Sequence, residues 1–381
     1  MWRYSRIAEL DLEDFAPLPA DSGAAPTGMP PQLEPPLAAL TARAGLVVVR
    51  DGRRLEVHAD TPGLAVVTPD GDEMPIGSVA GEPDALTSLN AAFTAAPLWL
   101  RVARGAVIRD PIVVVHWLGS DGAAMFPRTM VEIGEGAQAS VVEIVASEDV
   151  VSLVDTVTEL DVAQAANLQY LNVQLLGSRV WQVGLQASRV GRDATLTSAS
   201  VSLGGDYARV RTDSALVGQG GTSRLLALYF GDGHQMHDFR TMQAHEAPKT
   251  TSDLLFKGAV AGTAHSVYSG LIRVRKGAVG TNAFQTNRNL VLSEGAHADS
   301  VPNLEIEEND VSCSHASAVG PVDEEQRFYL ESRGVPPSVA DRLIVLGFLD
   351  DVLVRTPVPE LHDWLQLELA RKLDANVAGD A

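Results

Sequence analysis

The chain runs to 381 residues, 45% of them hydrophobic and 20% charged, a balance that fits a globular protein with one large core and smaller appendages. Its 49 acidic residues outnumber 29 basic ones, giving a formal net charge of −20; this argues against nucleic acid as a partner, because phosphate binding needs clustered Lys and Arg. The single cysteine cannot close an internal disulfide, and no stretch reaches the ~18 consecutive apolar residues of a membrane span.

The opening MWRYSRIAELDLEDF lacks the apolar core of a signal peptide, so the expected compartment is the cytoplasm. Residues 1–45 form an N-terminal segment in which APLPADSGAAPTGMPPQLEPP holds seven prolines and reads as an extended, mobile linker. Residues 46–97 read as a small α/β region. Leu46–Val49 and Leu55–Val57 flank Asp51-Gly52, the signal of a tight hairpin. Leu64–Thr68 and Met74–Gly77 suggest a second strand pair joined through Pro69-Asp70-Gly71. Asp84–Ala95 then sets Leu86, Leu89, Ala92 and Phe93 at helical spacing.

Between residues 98 and 320 the helical period vanishes. Short β-branched and aliphatic runs are punctuated at irregular intervals by Gly105-Ala106, Gly136-Ala137, Val162-Ala163, Asp193-Ala194, Gly258-Ala259, Gly277-Ala278 and Gly295-Ala296. Imperfect repetition with small residues at the corners suits a β-solenoid, since each coil packs on its neighbours and a tight corner admits only small side chains. A β-sandwich would also give short strands; the pattern favours the solenoid. The fold class expected is therefore mainly β, with a β-solenoid core over 98–320 and a small C-terminal helical domain over 321–381. In that last part Asp323–Ser332 and Ser338–Val352 are amphipathic and are split by Arg333-Gly334 and Pro336-Pro337, and Leu361–Leu373 adds a final helix.

Chemistry concentrates at Cys313-Ser314-His315. Side chains alternate along a strand, so the thiol and the imidazole face the same side and supply half of a tetrahedral metal site. His234, His237 and His245 have a superficially zinc-like spacing but no helical HExxH, so a structural role is favoured over a metal site. His58, His116, His265, His297 and His362 are isolated and take no role. Gly218-Gln219-Gly220-Gly221 lacks the Lys-Ser/Thr of a phosphate loop, so no nucleotide site is expected. Scattered carboxylates leave open a β-solenoid polysaccharide hydrolase or lyase, against which the aromatic content of 5% weighs. In the helices, Val339, Leu343, Leu346 and the Ile344/Phe348 pair make an apolar stripe ending at Gly347-Phe348 beside Asp350 and Asp351, fit either for a partner's groove or for the chain's own core.

The runs SCSHASAVG, DEEQRFYLESRGV and RLIVLGF resemble the SufB/SufD family of iron–sulfur cluster assembly scaffolds, and its SufD branch in particular. Cys313, His315, Asp323, Glu324, Gln326, Phe328, Tyr329, Ser332, Arg333 and Gly334 fall on the branch pattern; Ala316 stands where the family more often has Gly. Trp2-Arg3-Tyr4-Ser5 resembles a motif that the family carries after an N-terminal helical segment, and Leu89-Asn90-Ala91-Ala92 with LWLRVARGAV resembles its entry into the β-domain. The resemblance implies a right-handed parallel β-helix and a non-enzymatic subunit that pairs with a SufB-like scaffold and binds a SufC-like ATPase through the region of Asp323, Glu324, Gln326, Phe328, Tyr329, Arg333, Leu343, Gly347 and Phe348. It also implies that His315 and Cys313 contribute to a transient cluster. A cluster wants about four ligands, mostly thiolates, so a chain with one thiol must share it with the partner. Pairing would run through the exposed edge of the solenoid, and a plain homodimer through that same edge is a further alternative.

Overall fold

The computed structural model describes residues 4–18, 29–68, 74–81 and 84–379; Trp2 and Arg3, the middle of the proline-rich stretch and the Pro69-Asp70-Gly71 turn lie outside them. In chain order the elements begin with β1 (Ala16–Pro17), α1 (Glu34–Ala39), β2 (Gly45–Arg50), β3 (Arg53–His58), β4 (Leu64–Val67) and α2 (Ala85–Phe93). The first coils follow as β5 (Leu98–Val102), β6 (Ile112–Leu118), β7 (Ala123–Met125), β8 (Arg128–Ile133), β9 (Gln138–Ser147), β10 (Ser152–Val162), β11 (Asn167–Leu175) and β12 (Val180–Val190). Next are β13 (Thr195–Ser202), β14 (Tyr207–Leu216), β15 (Thr222–Gly231), β16 (Met236–His245), β17 (Thr251–Val260) and β18 (His265–Val274). The chain closes with β19 (Asn282–Val291), β20 (His297–Ile306), β21 (Ser312–Gly320), α3 (Glu324–Ser332), α4 (Pro337–Leu353) and α5 (His362–Gly379).

Successive core strands do not pair with each other. From β8 onward, even-numbered strands pair in parallel within one sheet and odd-numbered strands within a second, so the chain places one strand in each sheet per coil. Gln138, Asn167, Thr195, Thr222, Thr251, Asn282 and Ser312 stand in one register column, which sets the coil at about 27 to 31 residues. The result is a parallel β-solenoid of about 8 turns. At its N-terminal end the predicted hairpin forms: β3 closes antiparallel on β2 through Asp51 and Gly52, both at positive φ, and β2 joins the second sheet beside β6.

One corner shows why the repeat is imperfect in sequence yet regular in space. Gly136, Ala165, Asp193, Gly220, Lys249 and Gly280 all adopt positive φ. The first five amides donate to Gln164, Arg192, Gln219, Pro248 and Val279 respectively, one coil onward, at 2.8–3.2 Å. The corner demands a left-handed backbone, which Gly provides freely and Asp tolerates. Beside it the column Ala137, Ala166 and Ala194 is buried and free of bulk.

Two sequence expectations need correction. Met74–Gly77 is not a strand; β4 pairs antiparallel with β5 instead, and the amides of Gly77, Val79 and Ala80 converge on the Glu159 carboxylate at 2.8–3.0 Å. Gly258-Ala259 is not a corner but lies within β17. A Cβ at Gly258 would stand 1.9 Å from the Tyr229 ring, so that glycine exists to let an aromatic lie against the backbone.

The interior changes along the axis. Aliphatic residues such as Leu100, Val131 and Leu160 fill much of the early coils, beside a buried polar group in which the Glu143 carboxylate meets His116, Thr129 and Thr158 at 2.5–3.0 Å. Tyr229, Phe239, Phe256 and Tyr268 fill the middle, and the last coils carry the buried amides of Gln285, Asn287 and Asn289. The outer face of the second sheet is apolar. Along it lie α4 and α5, with Val345, Leu349, Val352, Leu365 and Leu369 packed on Leu226, Leu228, Phe230 and Leu255; the helices thus fold back over the sheet rather than standing beyond the last coil. The outer face of the first sheet is mixed: one column is charged, with Arg101, Glu132, Asp161 and Arg189 in register and ion pairs Arg101–Glu132 and Arg189–Asp161 between coils, while Leu153, Val157, Val183 and Leu185 lie in apolar clusters with N-terminal residues. No helix among the described residues is long and apolar enough to cross a membrane.

Candidate functional site

Cys313 and His315 lie on β21, the last strand of the second sheet, which pairs only with β19 on one side. Seven of its nine residues, His315 among them, are exposed, and Cys313 is half-buried. Cys313 leans on the small cluster of Ile272, Val274, Ala278 and Ala283, so the shared strand face that sequence alternation predicts is the interior face of the open last coil. Burial pushes the Cys313 thiol up from its ordinary pKa; it stays protonated at neutral pH until a metal or electrophile displaces the proton. In register with His315 is Gln285, buried to 1% exposure, whose amide nitrogen and oxygen both lack a hydrogen-bond partner among the described residues. Nearby Ser317 donates to Ser300 at 2.7 Å across the coil mouth. A buried amide without partners costs stability; here it sits under the rim that carries the imidazole and the thiol.

The helical residues separate into two groups. Asp323 caps α3 by accepting the amides of Glu325 and Gln326 at 2.8 and 3.2 Å, and Glu324 and Gln326 are exposed. Phe328 and Tyr329 are 72% and 58% exposed, and Val339 and Leu343 on α4 are 42% and 46% exposed. A two-point contact from Arg327 to Asp341 at 2.6 and 2.9 Å ties the two helices together, and the Arg333 guanidinium lies 5.2 Å from the Tyr329 ring centroid. Gly347 continues the exposed line of α4, with nothing within 4 Å of where a Cβ would stand. Phe348 belongs to the second group: it is half-buried against the sheet, with the Lys257 ammonium 4.5 Å from its ring. The acidic pair behind it is also engaged internally, Asp351 with Lys257 at 2.7 Å and Asp350 with His362 at 3.1 Å.

The other histidines divide as well. His237 and His245 are fully buried and far apart in partners, His237 with Ser202 at 3.2 Å and His245 between Thr250 and Ser252 at 2.8 and 2.9 Å. They are structural rungs, while His234 is exposed near Asp206. The sequence gives no sign that His265 and His297, 32 positions apart, are neighbours; the register pairs them directly on β18 and β20. That separation is one coil of the first sheet, one residue longer than the longest step in the second-sheet column, a signal readable only once the coil length is known.

Fold and edge together define a two-sheet parallel β-solenoid protein whose thiol and exposed imidazole sit on a terminal strand with one open edge. Residues 116–348 match the family described as SUF system FeS cluster assembly, SufBD core domain. An iron–sulfur cluster assembly SufBD family protein of Mycobacterium tuberculosis is 36% identical over 290 residues, covering 74% of this chain and 72% of that one. The iron–sulfur cluster assembly protein SufD of Escherichia coli is 28% identical over 358 residues (91% and 82%), and that of Bacillus subtilis 30% identical over 294 residues (76% and 67%). The chain belongs to the SufBD family, on its SufD branch. Its place there gives it a scaffold role in iron–sulfur cluster assembly.

Proposed function

We propose that this chain is a non-enzymatic, cytoplasmic scaffold subunit that pairs with a SufB-like partner along β21, shares a nascent iron–sulfur cluster with it through His315 and Cys313, and docks a SufC-like ATPase on α3 and α4. The observation that carries this reading is the last coil: a strand with one open edge presenting an exposed imidazole and a half-buried thiol above a buried amide that lacks partners among the described residues. One thiol cannot hold a cluster alone, so the cargo sits where a second chain brings ligands. The nucleotide belongs to the ATPase, because this chain has no phosphate loop. Phe328, Tyr329, Leu343 and Gly347 supply an apolar contact face rimmed by Glu324, Gln326 and Arg333, as in helix-in-groove recognition; Asp323 acts by capping α3, and Phe348 by seating α4 on the sheet.

The test is co-expression with SufB and SufC, comparing the wild-type chain with His315→Ala. The complex should assemble at normal yield while the cluster recovered per complex, read by visible absorption and iron and sulfide content, falls several-fold. An undiminished cluster in a fully assembled mutant complex removes His315 from the role.

A further inference from the structure

We propose that His265, His297 and Asp299 bind a divalent first-row transition-metal ion on the outer face of the first sheet. The site goes beyond the scaffold reading and is separate from it: these residues point outward from β18 and β20, whereas Cys313 and His315 face the interior of the last coil. The register makes the cluster. His265 is the direct neighbour of His297, and Asp299, two residues on in the same strand, projects from the same face. The Nε2 atoms of His265 and His297 lie 2.8 and 3.5 Å from the same carboxylate oxygen, Oδ2 of Asp299. The two rings are not stacked but tilted by 52°, with centroids 5.1 Å apart, so their nitrogens converge on one point.

One ligand atom from each residue lies within 4.8 Å of the other two, and no other such trio of His, Cys, Asp or Glu occurs among the described residues. Bonds of about 2.1 Å set ligand atoms roughly 3 to 3.5 Å apart, so a small rotation of His297, which is 67% exposed, completes the arrangement. Asp299 and His265 are mostly covered and held on rigid backbone, at 23% and 30% exposure, which reduces the ordering that binding requires. Two imidazoles and one carboxylate on a single face are a donor set for zinc-, cobalt- or iron(II)-like ions, with the outer coordination positions open to water or to a further ligand.

The experiment uses the full chain without a polyhistidine tag and with Cys313→Ser, so that the thiol adds nothing. Cobalt(II) is titrated anaerobically, following its visible ligand-field absorption, and zinc(II) is measured by competition with a chromogenic chelator. One equivalent should bind, with affinity reduced by about tenfold or more in His297→Ala and in Asp299→Asn, and unchanged in His234→Ala. Circular dichroism confirms that each variant is folded, which the exposure of His297 favours. If the chain takes up no stoichiometric ion, or if His297→Ala and Asp299→Asn bind it as tightly as the parent, the trio is an ordinary imidazole–carboxylate contact and the proposal falls.

Discussion

His237 and His245 are imidazoles that the fold keeps neutral. Burial, aided by the charge of Lys372, depresses His237 to a pKa of about 3, and burial depresses His245 to about 4. In the unfolded chain both titrate near 6.5. As the pH falls below that value, the unfolded state gains protons that the folded state refuses, so stability is complete above about 6.5 and declines toward 4 by about 1.4 kcal/mol per unit for each imidazole. Buried Asp155, whose carboxyl is held well above its usual range by burial and by Asp84, pulls the other way in the same window. The informative comparison is therefore between variants. In urea unfolding at pH 7.0 and 5.0, His245→Gln should lose about 2 kcal/mol less over that interval than the wild type; equal losses would refute the neutral-imidazole account. Such residues also mark the limits of sequence reading. Cys313 and His315 are legible because they stand two residues apart on one strand and the thiol is the chain's only one, whereas Gly258 looks like every corner glycine until the Tyr229 ring is placed upon it.

Among the elements, the corner column tests the solenoid most directly. Ala165 is exposed and holds φ of 56°, a conformation that costs an alanine roughly 1–2 kcal/mol, while its amide bonds Arg192 of the next coil. Ala165→Gly removes that strain, offset in part by the greater entropy of unfolded glycine, and should raise stability by about 0.5–1 kcal/mol in thermal or urea unfolding. Ala165→Val should lower it by at least about 1 kcal/mol, since a β-branched residue fits that region worst. If both variants unfold like the wild type, the corner does not dictate the backbone. The solenoid itself was legible because small residues recur where coils turn. The pairing of β4 with β5 was not: a short apolar run does not reveal which of several nearby strands it will join, and the Pro69-Asp70-Gly71 turn signal pointed to the wrong one. The helices were visible from their stripes, but whether Phe348 faced solvent or sheet depended on Lys257, 91 positions away.

For the whole molecule, the two ends of the solenoid are unlike. The N-terminal end closes with the antiparallel strands β3 and β4, while the C-terminal end stops at two long parallel strands that no further strand among the described residues joins. A long unpaired edge invites pairing with another chain. The two edges are not equivalent. In β20 the amides of His297 and, just past its end, Glu307 bond inward, to Ala264 and Val274; by alternation the amide position of Pro302 faces outward, where a proline breaks no internal bond yet blocks addition of a strand. In β21 the Ser312 amide bonds inward to Thr281, so those of Cys313, His315, Ser317 and Val319 face the open edge. Pairing should therefore run along β21. Val319→Pro deletes one outward donor and leaves the inner ladder intact, whereas Ala318→Pro deletes an inner bond. The expected outcome is a folded Val319→Pro chain of near wild-type melting temperature that loses at least about tenfold in affinity for a SufB-like partner in a binding titration. In the absence of the partner, the same variant should shift any dimer of the isolated chain toward monomer in a mass measurement. Undiminished association of a folded Val319→Pro chain would move the docking edge away from β21, and with it the reason to place the shared cluster there.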